Sequence, residues 1–202
     1  MNKLGFTVWI TGLSGSGKTT VAGLLAEKLE AMGQKTQILD GASIRKTISQ
    51  GVAFLPEERD RNTRIIGEVC QILVINGMAA VVAAESPFEE SRILNRSEIL
   101  RYIEIYLQCP LEVLEARDSE GFYAKARRGE FSSVPGVTSP YEEPSRPEVV
   151  CNTDAEPPEQ CVKKIIRTLQ MLKYLPGRAD ASTYSKEEEE MIEQHLKGLG
   201  YK

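Results

Sequence analysis

Apolar positions in this chain follow two rhythms that alternate along its length. Short apolar runs recur at Phe6-Thr7-Val8-Trp9-Ile10, Gln37-Ile38-Leu39, Ala79 to Ala84, Tyr102 to Leu107 and Val149-Val150-Cys151. These read as strands buried in a sheet. Between them the apolar spacing becomes helical. Thr19 to Met32 carries Val21, Leu24, Leu25 and Leu29 on one side, and Ser43 to Gln50, Pro56 to Asn76, Glu89 to Arg96, Leu111 to Arg117 and Pro158 to Leu172 also fit helices. Alternation of this kind predicts an α/β fold with a central parallel sheet flanked by helices. Ligands in such sheets collect outside the carboxyl ends of the strands. Asp40, Glu85 and Ser86, which end the second and third strands, are therefore the positions to watch.

Two stretches break the pattern. Residues 118–147 hold four prolines and Gly121, Gly129 and Gly136, mixed with Lys125, Arg127 and Arg128. A long basic segment without clear periodicity inside a compact domain suggests a lid. The chain then divides into a domain over 1–175 and a tail over 176–202. In the tail a linker, Arg178 to Tyr184, leads to Ser185-Lys186-Glu187-Glu188, which has capping-box form. Met191, Ile192, Leu196 and Leu199 then make an apolar stripe on a short helix, expected to dock on the body or on a partner subunit.

At 202 residues the chain can bury one good core. Its net charge of −4 argues against a nucleic-acid surface, and no apolar run approaches a membrane span of roughly 20 residues. The N-terminus leads straight into the first strand without a signal peptide, so a cytoplasmic protein is expected. Cys70, Cys109, Cys151 and Cys161 lack CxxC spacing and read as reduced, packed thiols. The single histidine, His195, lies in the tail, which excludes histidine acid–base chemistry in the core.

The chemistry is carried by Gly12-Leu13-Ser14-Gly15-Ser16-Gly17-Lys18-Thr19, with Thr20 following. It matches the phosphate-binding loop pattern GxxxxGK[ST], with a strand before it and a helix after it. Glycines let backbone N–H groups turn inward around a polyphosphate, and the helix N-terminus adds positive potential. Lys18 can reach the terminal phosphates, and the Thr19 hydroxyl can ligate Mg²⁺. A P-loop NTPase three-layer fold that binds ATP and magnesium is the expectation.

Beyond the loop the chain resembles the adenylylsulfate kinases from about Phe6 to Leu175. The resemblance rests on Trp9-Ile10-Thr11 before the loop, Leu39-Asp40-Gly41 with Arg45, and Phe54-Leu55-Pro56-Glu57-Glu58-Arg59 with Asn62 and Arg64. Ile66-Gly67-Glu68-Val69, Ser86-Pro87, Pro110-Leu111-Glu112-Val113 and Arg117-Asp118 extend it. Lys125-Ala126-Arg127, Gly129, Glu130, Gly136 and Pro140-Tyr141-Glu142 carry it through the lid. That family phosphorylates the 3′-hydroxyl of adenylylsulfate with Mg-ATP, making 3′-phosphoadenylylsulfate for sulfate assimilation.

The resemblance implies roles. Asp40 would support Mg²⁺ beside Thr19. Arg45, Arg59 and Asn62 would grip the phosphosulfate and ribose of the acceptor, and Phe54 would stack on its adenine. Ser86 would stand beside the transfer path, and Arg127 or Lys125 would close over the phosphates. A homodimer is implied, and a sulfurylase partner could attach through the tail helix. The departures fall in the site. Where the family has a second Asp, the carboxylate placed to accept the hydroxyl proton, this chain has Ala42. Glu85 replaces an apolar Ile, and Ser132 and Val134 replace a Lys and a Phe near the lid exit. Three outcomes are open: Glu85 supplies the lost carboxylate as a catalytic residue with Lys18; the acceptor is a different nucleotide or small hydroxyl compound; or the chain is a nucleotide-binding module with little turnover.

Overall fold

The computed structural model describes residues 4–48, 56–131, 133–176 and 186–201. Phe54, Ser132, the predicted linker Arg178 to Tyr184 and the capping residue Ser185 lie outside them. Arg45 has a described backbone, but its side chain lies outside as well.

The strands are β1 (Phe6–Thr11), β2 (Thr36–Asp40), β3 (Ala79–Ala83), β4 (Tyr102–Gln108) and β5 (Val149–Asn152). They form one parallel sheet in the order β2-β3-β1-β4-β5. The helices are α1 (Lys18–Ala31), α2 (Gly41–Ile48), α3 (Pro56–Ile75), α4 (Glu89–Glu98), α5 (Leu111–Arg117), α6 (Phe122–Arg127), α7 (Pro158–Met171) and α8 (Lys186–Gly198). All five predicted strands are present, as are the predicted helices, with ends shifted by one or two residues.

The pleat of β1 explains the two cores. Phe6, Val8 and Ile10 face a layer built by α1 and α7, where Leu25, Leu29, Ile165 and Leu169 are buried. Trp9 points to the opposite face and packs with Ile66, Cys70 and Val74 of α3. Successive strand residues serve opposite layers, so β1 must be apolar throughout. Among the described residues no helix is long and apolar enough to cross a membrane.

Register sets the position of the chemistry. Asp40 lies level with Ala83, and Ala83 lies level with Ile10. The last residue of β2, the residues just past β3 and the loop leaving β1 therefore meet at one end of the sheet.

The lid segment differs from expectation in one respect. It contains α6, six residues long and too short for helical periodicity to stand out in sequence. The tail helix α8 docks on this chain's own body. Leu196 is buried, His195 Nε2 lies 2.8 Å from the Pro147 carbonyl oxygen, and the Tyr201 hydroxyl donates to Glu148 at 2.8 Å. Met191, from the same predicted stripe, stays exposed.

Candidate active site

The loop between β1 and α1 is shaped by glycines in the left-handed region, Gly15 at φ +78° and Gly17 at φ +92°. Side chains are costly there, which frees the backbone to wrap a polyphosphate. Lys18 Nζ donates to the carbonyls of Gly12 (2.9 Å) and Leu13 (2.7 Å), folding the cation back along the loop. Thr19 Oγ1 donates to Asp40 Oδ2 at 3.3 Å, and Asp40 Oδ1 accepts the Ser43 backbone N–H at 2.7 Å. Burial acts to raise the Asp40 pKa, but hydrogen bonds from Ser43, Thr19 and Ala42 together outweigh it and hold the carboxyl below its ordinary value. A hydroxyl and an ionised carboxylate side by side at a polyphosphate loop are suited to a hard divalent cation.

A cleft of about 380 Å³ opens from this loop toward α3. Lys18, Thr19, Asp40 and Ala42 line it, together with Arg59, Asn62, Glu85 and Ser86. Arg59 is nearly fully buried, ion-paired with Glu85, and also donates to the Ser133 carbonyl at 3.1 Å. Asn62 donates to the Gly41 carbonyl at 3.3 Å. Its buried Oδ1 has no hydrogen-bond partner among the described residues, an acceptor left for something in the cleft.

Ser86 occupies an unusual backbone conformation, φ +42°, directly before Pro87. A non-glycine residue there is strained and persists only when its surroundings hold it. The Trp9 indole donates to Ser86 Oγ at 3.1 Å, and Arg92 donates to the Ser86 carbonyl at 2.6 Å. Thr11 Oγ1 donates to the neighbouring Glu85 carbonyl at 2.5 Å. Arg92 is itself held by Glu104 at 2.8 Å in a buried ion pair.

The lid segment covers the loop. The Tyr123 hydroxyl on α6 donates to the Ser14 carbonyl at 2.5 Å. Gly136, at φ +81°, passes so close to Leu13 that a Cβ there would sit 2.8 Å from Leu13 Cδ2. Lys125 and Arg127 are not brought to the cleft. Arg127 donates to Glu115 on α5 at 2.5 Å from an exposed position, and Lys125 donates to the Glu120 carbonyl at 3.2 Å. Each is held by a nearby acceptor instead.

The structure thus brings together Gly12 to Thr20, Asp40, Arg59, Asn62, Glu85 and Ser86 from the sequence reading. It leaves Lys125 and Arg127 outside the cleft. Sequence reasoning missed the roles of Trp9 and Arg92, because an apolar strand residue and a helix arginine give no local sign of gripping Ser86. It also missed a second cavity of about 400 Å³ on the far side of the loop. That cavity runs from Gly15 and Thr20 to Arg117 and the segment 153–158, with Arg117 donating to the Thr153 carbonyl at 3.0 Å. The Arg117-Asp118 pair was the available signal.

A family model for adenylylsulphate kinase matches residues 4–152. The chain is 45% identical over 175 residues to an adenylyl-sulfate kinase of Picosynechococcus sp., covering 87% of this chain and 99% of that one. It is 40% identical over 181 residues to a probable bifunctional SAT/APS kinase 2 of Sorangium cellulosum, covering 90% of this chain and 31% of the longer relative. Among solved structures it resembles the Mycobacterium tuberculosis APS kinase CysC in complex with AMPPNP and APS. That match has 35% identity and a TM-score of 0.77, over 83% of this chain and 98% of the other.

Proposed function

The chain belongs to the adenylylsulphate kinase family, and from that premise we propose that it transfers the terminal phosphoryl group of Mg-ATP to the 3′-hydroxyl of adenylylsulfate. The observation that carries this is one cleft lined by Lys18, Thr19 and Asp40 together with Arg59, Asn62 and Glu85. A phosphate donor and a hydroxyl acceptor bearing an anion could enter it from opposite sides.

In this reading Gly12 to Thr20 hold the ATP phosphates, and the second cavity beside Arg117 receives the nucleoside end. Thr19 and Asp40 hold the magnesium ion, which when bound neutralises phosphate charge. Arg59 takes the phosphosulfate, and the unpartnered Oδ1 of Asn62 accepts a ribose hydroxyl. Glu85 accepts the proton of the attacking 3′-hydroxyl as the new O–P bond forms and ADP leaves. The Arg59–Glu85 ion pair supports this assignment, since an incoming anion that takes over Arg59 releases the carboxylate beside the acceptor. Ser86 positions the strand end. Lys125 and Arg127 reach the phosphates only if α6 moves.

ADP release from Mg-ATP, with and without adenylylsulfate, tests the proposal. Acceptor-dependent turnover is expected, and ATP binding without it sinks the kinase reading. A second reading, a kinase for a different hydroxyl acceptor, is favoured by Glu85 itself. Its charge occupies the arginine that an anionic acceptor needs. Turnover with an uncharged hydroxyl compound and none with adenylylsulfate would favour it.

We also propose a homodimer. Val69, Ile72 and Ile75 are exposed along one face of α3 and would be covered by a second copy, which light scattering can detect. A sulfurylase partner is supported by the longer Sorangium relative, a probable bifunctional SAT/APS kinase. Four buried free cysteines fit a reducing compartment such as the cytoplasm.

A further inference from the structure

Behind the second cavity, away from the transfer cleft, three metal-ligating side chains converge. Cys151 lies in β5, Cys161 in the first turns of α7, and Glu156 on the segment between them. Their two sulfurs and one carboxylate oxygen lie within 4.8 Å of one another. Both thiols are fully buried, while Glu156 is partly accessible and lines the cavity beside the loop. One Glu156 oxygen accepts the Asn152 N–H at 3.2 Å, which orients the carboxylate, and the other faces Lys164 Nζ at 2.6 Å.

The two cysteines do not behave as separate core thiols. A hydrogen bond from Cys151 pulls the Cys161 thiol down, and the same contact pushes Cys151 up. The two thiols are hydrogen-bonded to each other, and the Lys164 charge favours the thiolate form of both. Two converging cysteine sulfurs beside an oriented carboxylate are a donor set for a soft or borderline cation and a poor one for magnesium.

We propose that Cys151, Glu156 and Cys161 form a binding site for a thiolate-seeking divalent cation of the zinc class. Occupancy would pin residues 152–158 against the nucleoside cavity. Charge supports it: two thiolates and a carboxylate around a divalent ion leave one negative charge, which the Lys164 ammonium cancels. Distance supports it too. Zn–S bonds of about 2.3 Å and Zn–O bonds of about 2.0–2.2 Å place tetrahedral donors roughly 3.5–4 Å apart, so the observed spacing needs closing by only ~1 Å. Glu156 lines the cavity, so water entering there can complete the coordination. Binding displaces the thiol protons to solvent as the two metal–sulfur bonds form, with no change of oxidation state.

The test titrates the fully reduced, chelator-treated full-length protein with zinc against a chromophoric chelator, and with cobalt as a spectroscopic probe. One zinc per chain and a thiolate-to-cobalt charge-transfer band are expected. Cys151→Ser and Cys161→Ser should each weaken zinc binding by at least about tenfold, the lower end of what even outer-shell changes cost. Circular dichroism checks their folds, and Glu156→Gln, at the accessible edge, gives the same reading should a buried serine fail to fold. Zinc binding undiminished in all three variants overturns the site. So does a fully reduced protein that binds no zinc.

Discussion

Arg59 and Glu85 form an ion pair at the base of the transfer cleft, with the guanidinium 4% exposed and the carboxylate 16%. Each side chain arrives from a different element, α3 and the end of β3, and neither has water enough to stand unpaired cheaply. Glu85 is therefore fixed in the cleft that Ala42 also lines. If it receives the acceptor proton, Glu85→Gln should lower kcat by about 10²–10⁴-fold. The acceptor KM should not rise, because Arg59 becomes freer to bind an anion. Adding Ala42→Asp to that variant should restore part of the rate. Steady-state kinetics with adenylylsulfate decides it, and an unchanged kcat in Glu85→Gln removes Glu85 from the chemistry.

Asp40 has a folded-state pKa below its unfolded value, with hydrogen bonds from Ser43 and Thr19 overcoming the effect of burial. Its contribution to stability is present above the unfolded value of about 3.9 and is lost as pH falls through the lower folded value. Asp40→Asn should therefore flatten the stability profile below about pH 4 and leave its neutral plateau shape unchanged. In the same variant the magnesium concentration for half-maximal turnover should rise by at least about tenfold. Thermal melts across pH and a magnesium titration measure the two effects separately. An unchanged magnesium requirement would take Asp40 out of the metal site.

Trp9 donates to Ser86 Oγ from the fully buried floor of β1, fixing a residue whose backbone is strained. Trp9→Phe keeps an aromatic ring but removes that donor and leaves a small void. The lost hydrogen bond should cost about 0.5–1.5 kcal/mol, lowering the melting temperature by roughly 1–6 °C. The kcat should fall more than this loss of stability explains, since Ser86 and Glu85 are adjacent. A melt shift with kcat intact would make Trp9 a packing residue alone.

The fold was legible because its signals are local. The apolar runs of β1, β3 and β4 and the periodicity of α1 and α7 each declare themselves within a dozen residues. The loop from Gly12 to Thr19 is likewise contiguous, so its place between β1 and α1 followed directly. The Asp40–Glu85 neighbourhood needed one further step, the rule that strand carboxyl ends meet at the ligand. What stayed hidden depends on contacts between distant residues. Arg92 gripping the Ser86 carbonyl across a turn, Glu156 joining two cysteines, and Arg127 turning to Glu115 leave no trace in spacing. Lys125 and Arg127 looked like phosphate ligands because their charge was visible in sequence and their direction on α6 was not.

The contacts of the lid with the phosphate loop include the Tyr123 hydroxyl on Ser14 and the close pass of Gly136 over Leu13. Gly136→Ala forces a side chain into a left-handed backbone at about 1–2 kcal/mol and pushes it against Leu13. Leu13 has a flexible end and can give way, so the domain should stay folded while the lid loosens. Cleavage by a limiting protease should then rise within residues 118–147. The KM for ATP should increase several-fold, with Tyr123→Phe moving both readouts the same way. If α6 must shift for Arg127 to leave Glu115 and reach the phosphates, Glu115→Gln should instead raise kcat at low salt, where that exposed pair is strongest. A rate unchanged in Glu115→Gln, alongside a loosened but fully active Gly136→Ala, would mean that the lid covers the nucleotide without supplying a cation to it.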